Sequence, residues 1–194
     1  MHFQRVFVTL ACAGFVLLPP GAGKESPGFC RKVIEFLHAE KNLQEIEIPK
    51  EIEGVASVPL FVTLRKGIRT RGCAGSFQPF SSSLSKELTR FAVAAAVQDR
   101  RFRPVTAKEL KDLSITVAFL GDLISVSSLS HFNPLVHGLL LRKGGAEGVV
   151  LPGEAKTVSY AVRLACANAG VSDASGASFF LFPCILFSDT PSSE

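Results

Sequence analysis

Arg71-Gly72-Cys73-Ala74-Gly75-Ser76-Phe77 is the stretch on which the reading of this chain turns. One glycine stands directly before the cysteine and another two residues after it. Glycine allows a sharp turn and a close backbone approach to a neighbour or a ligand. Such a pattern suits a thiol nucleophile or an anion cradle. The thiolate is the reactive form of cysteine, and Arg71 or the cluster Arg100, Arg101 and Arg103 would lower a thiol pKa that starts near about 8.5. A small buried cysteine beneath a strand, with glycines for tight packing, fits the same residues.

Outward from this stretch the hydropathy pattern lays out helices and strands. Val58 to Leu64 is a short apolar run rich in β-formers. Lys66-Gly67 then turns the chain into Ile68 to Ala74, which predicts a β-hairpin leading into the glycine-flanked cysteine. Ser81-Ser82-Ser83 precede a helical stripe of Leu84, Leu88, Phe91, Ala92, Ala95 and Ala96, with serine placed to cap it and an end near Asp99. Thr106 and Glu109 form a T-x-x-E capping box for a short helix through Leu113. Ile115, Val117 and Phe119 then alternate as a strand does.

Upstream, Cys30, Val33, Ile34 and Leu37 predict an amphipathic helix from Cys30 to Leu43, ended by the acidic stretch Gln44 to Glu53 with Pro49. Downstream, Gly121 to Pro134 reads as a long serine-rich connection. Val136 to Leu141 and Gly148 to Leu151 flank Gly144-Gly145 as a second hairpin. Val158, Val162, Ala165 and Cys166 mark a last helix stopped by Gly170. Ser178 to Phe187, with Pro183 in its middle, reads as an edge strand or two short strands. Helices and hairpins in this order predict an α+β fold with a mixed or antiparallel sheet and packed helices.

The chain has 194 residues, 47% hydrophobic and 20% charged. This excludes a disordered, collagen-like or coiled-coil protein. Its formal charge of +4 is too small to mark a dedicated nucleic-acid binder. His2 and Arg5 precede an apolar run from Val6 to Leu18, then Pro19-Pro20 and Gly21-Ala22-Gly23, which is the form of a secretory signal over residues 1–23. The run is too short to span a membrane. Export to a periplasmic or extracellular space is therefore the expectation, with an uncleaved cytoplasmic chain as the alternative. The folded part is expected over residues 24–188, followed by a flexible tail over 189–194. Cys30, Cys73, Cys166 and Cys184 allow three disulfide pairings if the chain is exported. Neither they nor His38, His131 and His137 have metal-ligand spacing, so no metal site and no cofactor are expected.

The motifs also carry a family resemblance. Arg71 to Phe77 resembles the L-R-G-C-I-G-T-F signature of the AMMECR domain family, known in prokaryotes as AmmeMemoRadiSam system protein A. Phe61 to Gly67 is similar to the strand before that signature. Ala94 to Thr106, read as A-A-A-V-Q-D-R-R-F-R-P-V-T, is similar to the family's A-A-x-x-D-x-R-F-x-P-V-T segment. His137-Gly138-Leu139, Gly144-Gly145 and Leu151-Pro152 fit its H-G-L, G-G and L-L-P elements, and the resemblance covers about residues 30 to 188. The sequence departs from the pattern at Thr70, Ala74 and Gly153-Glu154, and it lacks tryptophan altogether.

The resemblance implies two subdomains around a cleft, the smaller mostly helical and the larger built on a sheet, with the Cys73 loop at the cleft. It implies no established activity. It points to a binding or assembly module acting with a Memo-type protein and a radical SAM enzyme, in which Arg71, Gly72, Gly75, Asp99 and Arg101 shape a pocket for a small ligand. The competing reading is an enzyme that uses Cys73 as nucleophile on a small anionic or carbonyl substrate, with His137 as base. Simpler roles fit as well: His137 as a strand-end histidine, and Asp99 with Arg101 as a helix-terminal salt bridge.

Overall fold

A computed structural model describes residues 18–189. The apolar run Val6 to Leu18, expected as the core of an export signal, lies outside these residues except for Leu18, and of the tail expected over 189–194 only Asp189 is described. Among the described residues no helix is long and apolar enough to cross a membrane. Two compact units divide the chain: a larger one holding residues 18–119 and 186–189, and a smaller one holding 120–185.

In the larger unit, helix α1 spans Ala22–His38 and a 3-10 turn covers Leu43–Glu45. Strands β1 (Leu60–Lys66) and β2 (Arg69–Ser76) follow, then helices α2 (Leu84–Val97) and α3 (Ala107–Leu110), then strand β3 (Ser114–Leu120). The sheet order is β2-β1-β3-β8, where β8 is Cys184–Ser188 at the far end of the sequence. β1 pairs antiparallel with both β2 and β3. The predicted hairpin at Lys66-Gly67 is present, with Gly67 at φ +59°. Phe29, Val33 and Ile34 of α1, Leu88 and Phe91 of α2, and Val62, Leu64, Ile115 and Val117 of the sheet fill one core.

The smaller unit has strands β4 (Ile124–Val126), β5 (Gly138–Lys143), β6 (Ala146–Val150) and β7 (Ser178–Phe182), and helix α4 (Val158–Ala169). Its sheet order is β4-β7-β5-β6. Leu139, Leu141, Val150, Ala161 and Ala165 make its core. Gly170 closes α4 in the left-handed conformation at φ +69°, as its sequence predicts.

Several expectations are corrected. The smaller unit is built on a four-stranded sheet with one helix, and three of the four α-helices belong to the larger unit. Helix α1 begins eight residues before Cys30 and takes in Gly23 and Pro27. Tertiary packing overrides propensity there: Ala22 and Phe29 are buried, and Gly23 lies under the Phe187 ring, where a Cβ would come within 2.3 Å. The Ser26 hydroxyl takes up the Ala22 carbonyl at 2.7 Å. The helix stops at His38 rather than Leu43, and Glu40 turns the chain at φ 53°. Ser83 is the N-cap of α2, but its hydroxyl meets that of Ser85, and it is Glu87 whose carboxylate receives the Phe80 and Ser81 amides. The connection after Gly121 contains β4. Pro183 separates two strands that join different sheets, and β7 is central in its own.

Candidate functional site

Cys73 lies on β2, the edge strand of the larger sheet, directly opposite Thr63 of β1. Its neighbour Gly72 faces α2, where an added Cβ would stand 2.1 Å from the Ala95 carbonyl oxygen. Side chains alternate along a strand, so Cys73 points to the face away from α2. Its amide donates to Asp99 Oδ2 at 2.9 Å, off the outer edge of the sheet. Cys73 and Thr63 are thus a non-hydrogen-bonded pair, the kind whose side chains come closest. Cys73 Sγ lies 3.4 Å from Thr63 Oγ1. On the same face Thr63 stands beside Thr116 of β3, and Thr116 Oγ1 meets Ser188 Oγ of β8 at 2.7 Å. A polar row of Cys73, Thr63, Thr116 and Ser188 therefore crosses all four strands. Sequence reading missed its three hydroxyls; their signal was Thr63 inside an otherwise apolar strand.

Asp99, just beyond α2, is the latch on this strand. Arg101 holds it through Nε to Oδ1 at 2.9 Å and Nη2 to Oδ2 at 2.8 Å, and the Arg101 amide donates to Oδ1 at 3.1 Å. Burial pushes the Asp99 carboxyl up, but hydrogen bonds from the Arg101 side chain and from the Cys73 and Arg101 amides outweigh it, leaving it below its ordinary value.

Arg71 is the extra residue of a β-bulge, where the register shifts between Leu64 and Arg65. Its fork engages Glu109 through Nε at 3.1 Å and Nη2 at 3.2 Å. Nη1 donates to the Arg103 carbonyl at 2.8 Å and Nη2 to the Pro104 carbonyl at 3.2 Å. Glu109 is at once the far half of the Thr106 capping box. The Arg71 fork and the Thr106 amide hold its carboxyl down at about 2. Gly75 lies under Phe61, whose ring meets Phe77 edge-on at 5.5 Å.

Arg71, Gly72, Cys73, Gly75, Asp99 and Arg101 are thus gathered in the larger unit. His137 belongs to the smaller one, in the turn before β5, with its amide donating to the Asn133 carbonyl at 2.9 Å. Its Nδ1 is buried and has no hydrogen-bond partner. Cys30, Cys73, Cys166 and Cys184 form no disulfide with one another. Burial, with Glu154 adding to it, pushes the Cys184 thiol up to about 12, and burial also drives Cys30 up. Among the described residues, no three histidine, cysteine or acidic side chains group as metal ligands.

Chemically, two of the cations expected to favour a thiolate are held by carboxylates, Arg71 by Glu109 and Arg101 by Asp99, while Arg100 and Arg103 of the same cluster are exposed. The Cys73 amide is spent on an anion of the protein itself. These contacts predict the acid behaviour of the larger unit. Asp99 and Glu109 have ordinary values of 3.8 and 4.5, and folding lowers both. Their contribution is complete above about pH 4.5 and is lost as the pH falls towards the folded values, about 2 for Glu109. Urea titrations between pH 6 and pH 2.5 should show that loss, and a Glu109→Gln variant should show a shallower one.

The AMMECR1 family model matches residues 28–182. A Thermotoga maritima protein is 36% identical over 116 residues, which cover 58% of this chain and 67% of its own length. A Methanococcoides burtonii protein is 32% identical over 146 residues, 70% of each chain. The crystal structure of an uncharacterised Pyrococcus horikoshii protein has the same fold, with a TM-score of 0.66 and 24% identity over 89% of this chain and 94% of its own. The family match runs from the middle of α1 to the end of β7 and takes in the latched Cys73 strand, and so the chain belongs to the AMMECR1 family.

Proposed function

We propose that this chain is a binding or assembly module, acting with a Memo-type protein and a radical SAM enzyme, in which the latched strand Arg71 to Phe77 is a rigid recognition element. The observation that carries the reading is the pairing of Arg71 and Arg101, the guanidiniums that brace the Cys73 strand, with carboxylates. A nucleophilic thiol or an anion cradle needs uncompensated positive charge or open N–H groups. Here Asp99 occupies the Cys73 amide, and Arg71 and Arg101 are neutralised. A recognition strand, by contrast, gains from being held in one conformation, because less freedom is lost on binding.

The half-buried thiol beside the Thr63 hydroxyl favours the alternative, a thiol-dependent enzyme acting on a small anionic or carbonyl substrate. Two measurements separate the readings. Co-expression with the Memo-type and radical SAM proteins of the same genome should yield a complex that survives Cys73→Ala unchanged. Alkylation of Cys73 followed against pH should have an ordinary midpoint, with the buried Cys30 as a slow control. Loss of the complex on Cys73→Ala, or an alkylation midpoint well below that of a free thiol, would replace the module with the enzyme. We also take residues 1–23 as an export signal, whose removal would take Ala22 and Gly23 from the start of α1. N-terminal sequencing of chain recovered from the periplasm should begin after Gly23, whereas an intact cytoplasmic chain would refute export.

A further inference from the structure

The net charge of +4 conceals a strong separation. Residues 65–112 hold eleven lysines and arginines against four acids, while the rest of the chain holds ten against thirteen. The four acids in that stretch are all committed. Glu87 caps the start of α2, Asp99 holds Arg101, Glu109 holds Arg71, and Asp112 lies 3.7 Å from Lys66. The last two contacts bind the end of the β1–β2 hairpin to the segment from Arg103 to Asp112. Arg69, Arg100, Arg103, Lys108 and Lys111 are therefore drawn to one region of the larger unit. All five are exposed, and none is paired with a carboxylate among the described residues.

Five uncompensated cations on one rigid support raise the local potential and attract an extended anion. Single-stranded nucleic acid would also want exposed rings to stack its bases. The aromatic residue in this region is Phe102, half-buried with the Arg101 guanidinium 5.5 Å over its ring. The exposed Phe80 sits at the opposite end of α2, whose fourteen residues rise about 21 Å, and Arg90 covers it. A ligand with charge and no bases is the better fit.

We propose that the surface formed by Arg69, Arg100, Arg103, Lys108 and Lys111 docks an acidic segment of a partner protein. This rests on the assembly-module reading and names the chemistry of the partner. Binding of this kind speeds encounter, selects orientation and weakens with salt.

The test uses the full chain and fluorescence anisotropy. The probes are a disordered twenty-residue Glu/Asp-rich peptide, a mixed-sequence single-stranded RNA of twenty nucleotides, and vesicles of phosphatidylcholine and phosphatidylserine at four to one. The peptide should bind, and more weakly at 150 mM than at 50 mM NaCl. Arg103→Glu with Lys108→Glu should weaken it at least tenfold, and the gentler Arg103→Gln with Lys108→Gln should weaken it less. Lys50→Glu with Lys156→Glu, both exposed and outside the 65–112 segment, should change it less than twofold. Equal weakening by both charge-reversal pairs, or tighter binding of RNA or vesicles than of peptide at 150 mM salt, would overturn the proposal. If the partner complex forms but is indifferent to Arg103 and Lys108, the module stands and this surface falls. If the peptide binds as described and no complex forms, the surface stands and the named partners fall.

Discussion

Gly72→Ala should lower the stability of the larger unit by about 3 kcal/mol, the upper end of the cost of overfilling a packed core. In urea this is a midpoint shift of about 1.5 M at a slope of roughly 2 kcal/mol/M. The added methyl would stand 2.1 Å from the Ala95 carbonyl oxygen. That oxygen is backbone in the last turns of α2, so no side chain can rotate away and the helix itself must move off the sheet. Gly28→Ala supplies the contrast. Gly28 is exposed within α1 and has nothing within 4 Å of its would-be Cβ, so alanine there should stabilise by about 0.8 kcal/mol through helix propensity. If Gly72 were instead kept for close approach of a ligand, Gly72→Ala would fold with unchanged stability and lose only binding.

Gly148 applies the same device in the smaller unit, where a Cβ on β6 would meet the Ala165 carbonyl oxygen of α4 at 1.9 Å. In both units a glycine on an edge strand lets a helix backbone press directly on the sheet. Glycines around Cys73 suit a ligand as well as a helix in the sequence, since the same freedom serves both. Only the register decides between them, by showing which face each residue presents.

What was legible in the sequence was local. The Thr106/Glu109 capping box, the Gly170 helix stop and the two hairpin turns depend on residues a few positions apart, and all are present. What was not legible depends on distant partners. The start of α1 rests on Phe187, and the strand after Pro183 leaves one sheet for another. The latch on Cys73 joins residues 26 apart, and the fork on Glu109 residues 38 apart. Charge counted over the whole chain likewise hid a basic segment that is plain once residues 65–112 are counted alone.

Arg71→Met should cost about 2 kcal/mol, between the small worth of an exposed ion pair and the ~3–5 kcal/mol lost on breaking a buried one. The Arg71 side chain is 18% exposed and that of Glu109 30%. Removing the guanidinium strips Glu109 of a two-point partner and leaves the Arg103 and Pro104 carbonyls without their donor. Thr106 still holds Glu109 through its amide and hydroxyl, and water reaches that carboxylate, which keeps the loss from being larger. Arg71→Lys should recover only a minor part, because an ammonium restores the charge but cannot span the carboxylate and two carbonyls as the fork does. A second signature follows from linkage. Without Arg71 the Glu109 carboxyl rises towards its ordinary value of 4.5, so the variant should lose less further stability than the parent between pH 4.5 and pH 2.5. Arg71→Met combined with Glu109→Gln should likewise be less destabilised than the two single variants added together. An Arg71→Met protein as stable as the parent, with the same acid limb, would show a guanidinium free for a ligand and would return the site to the anion-binding enzyme reading.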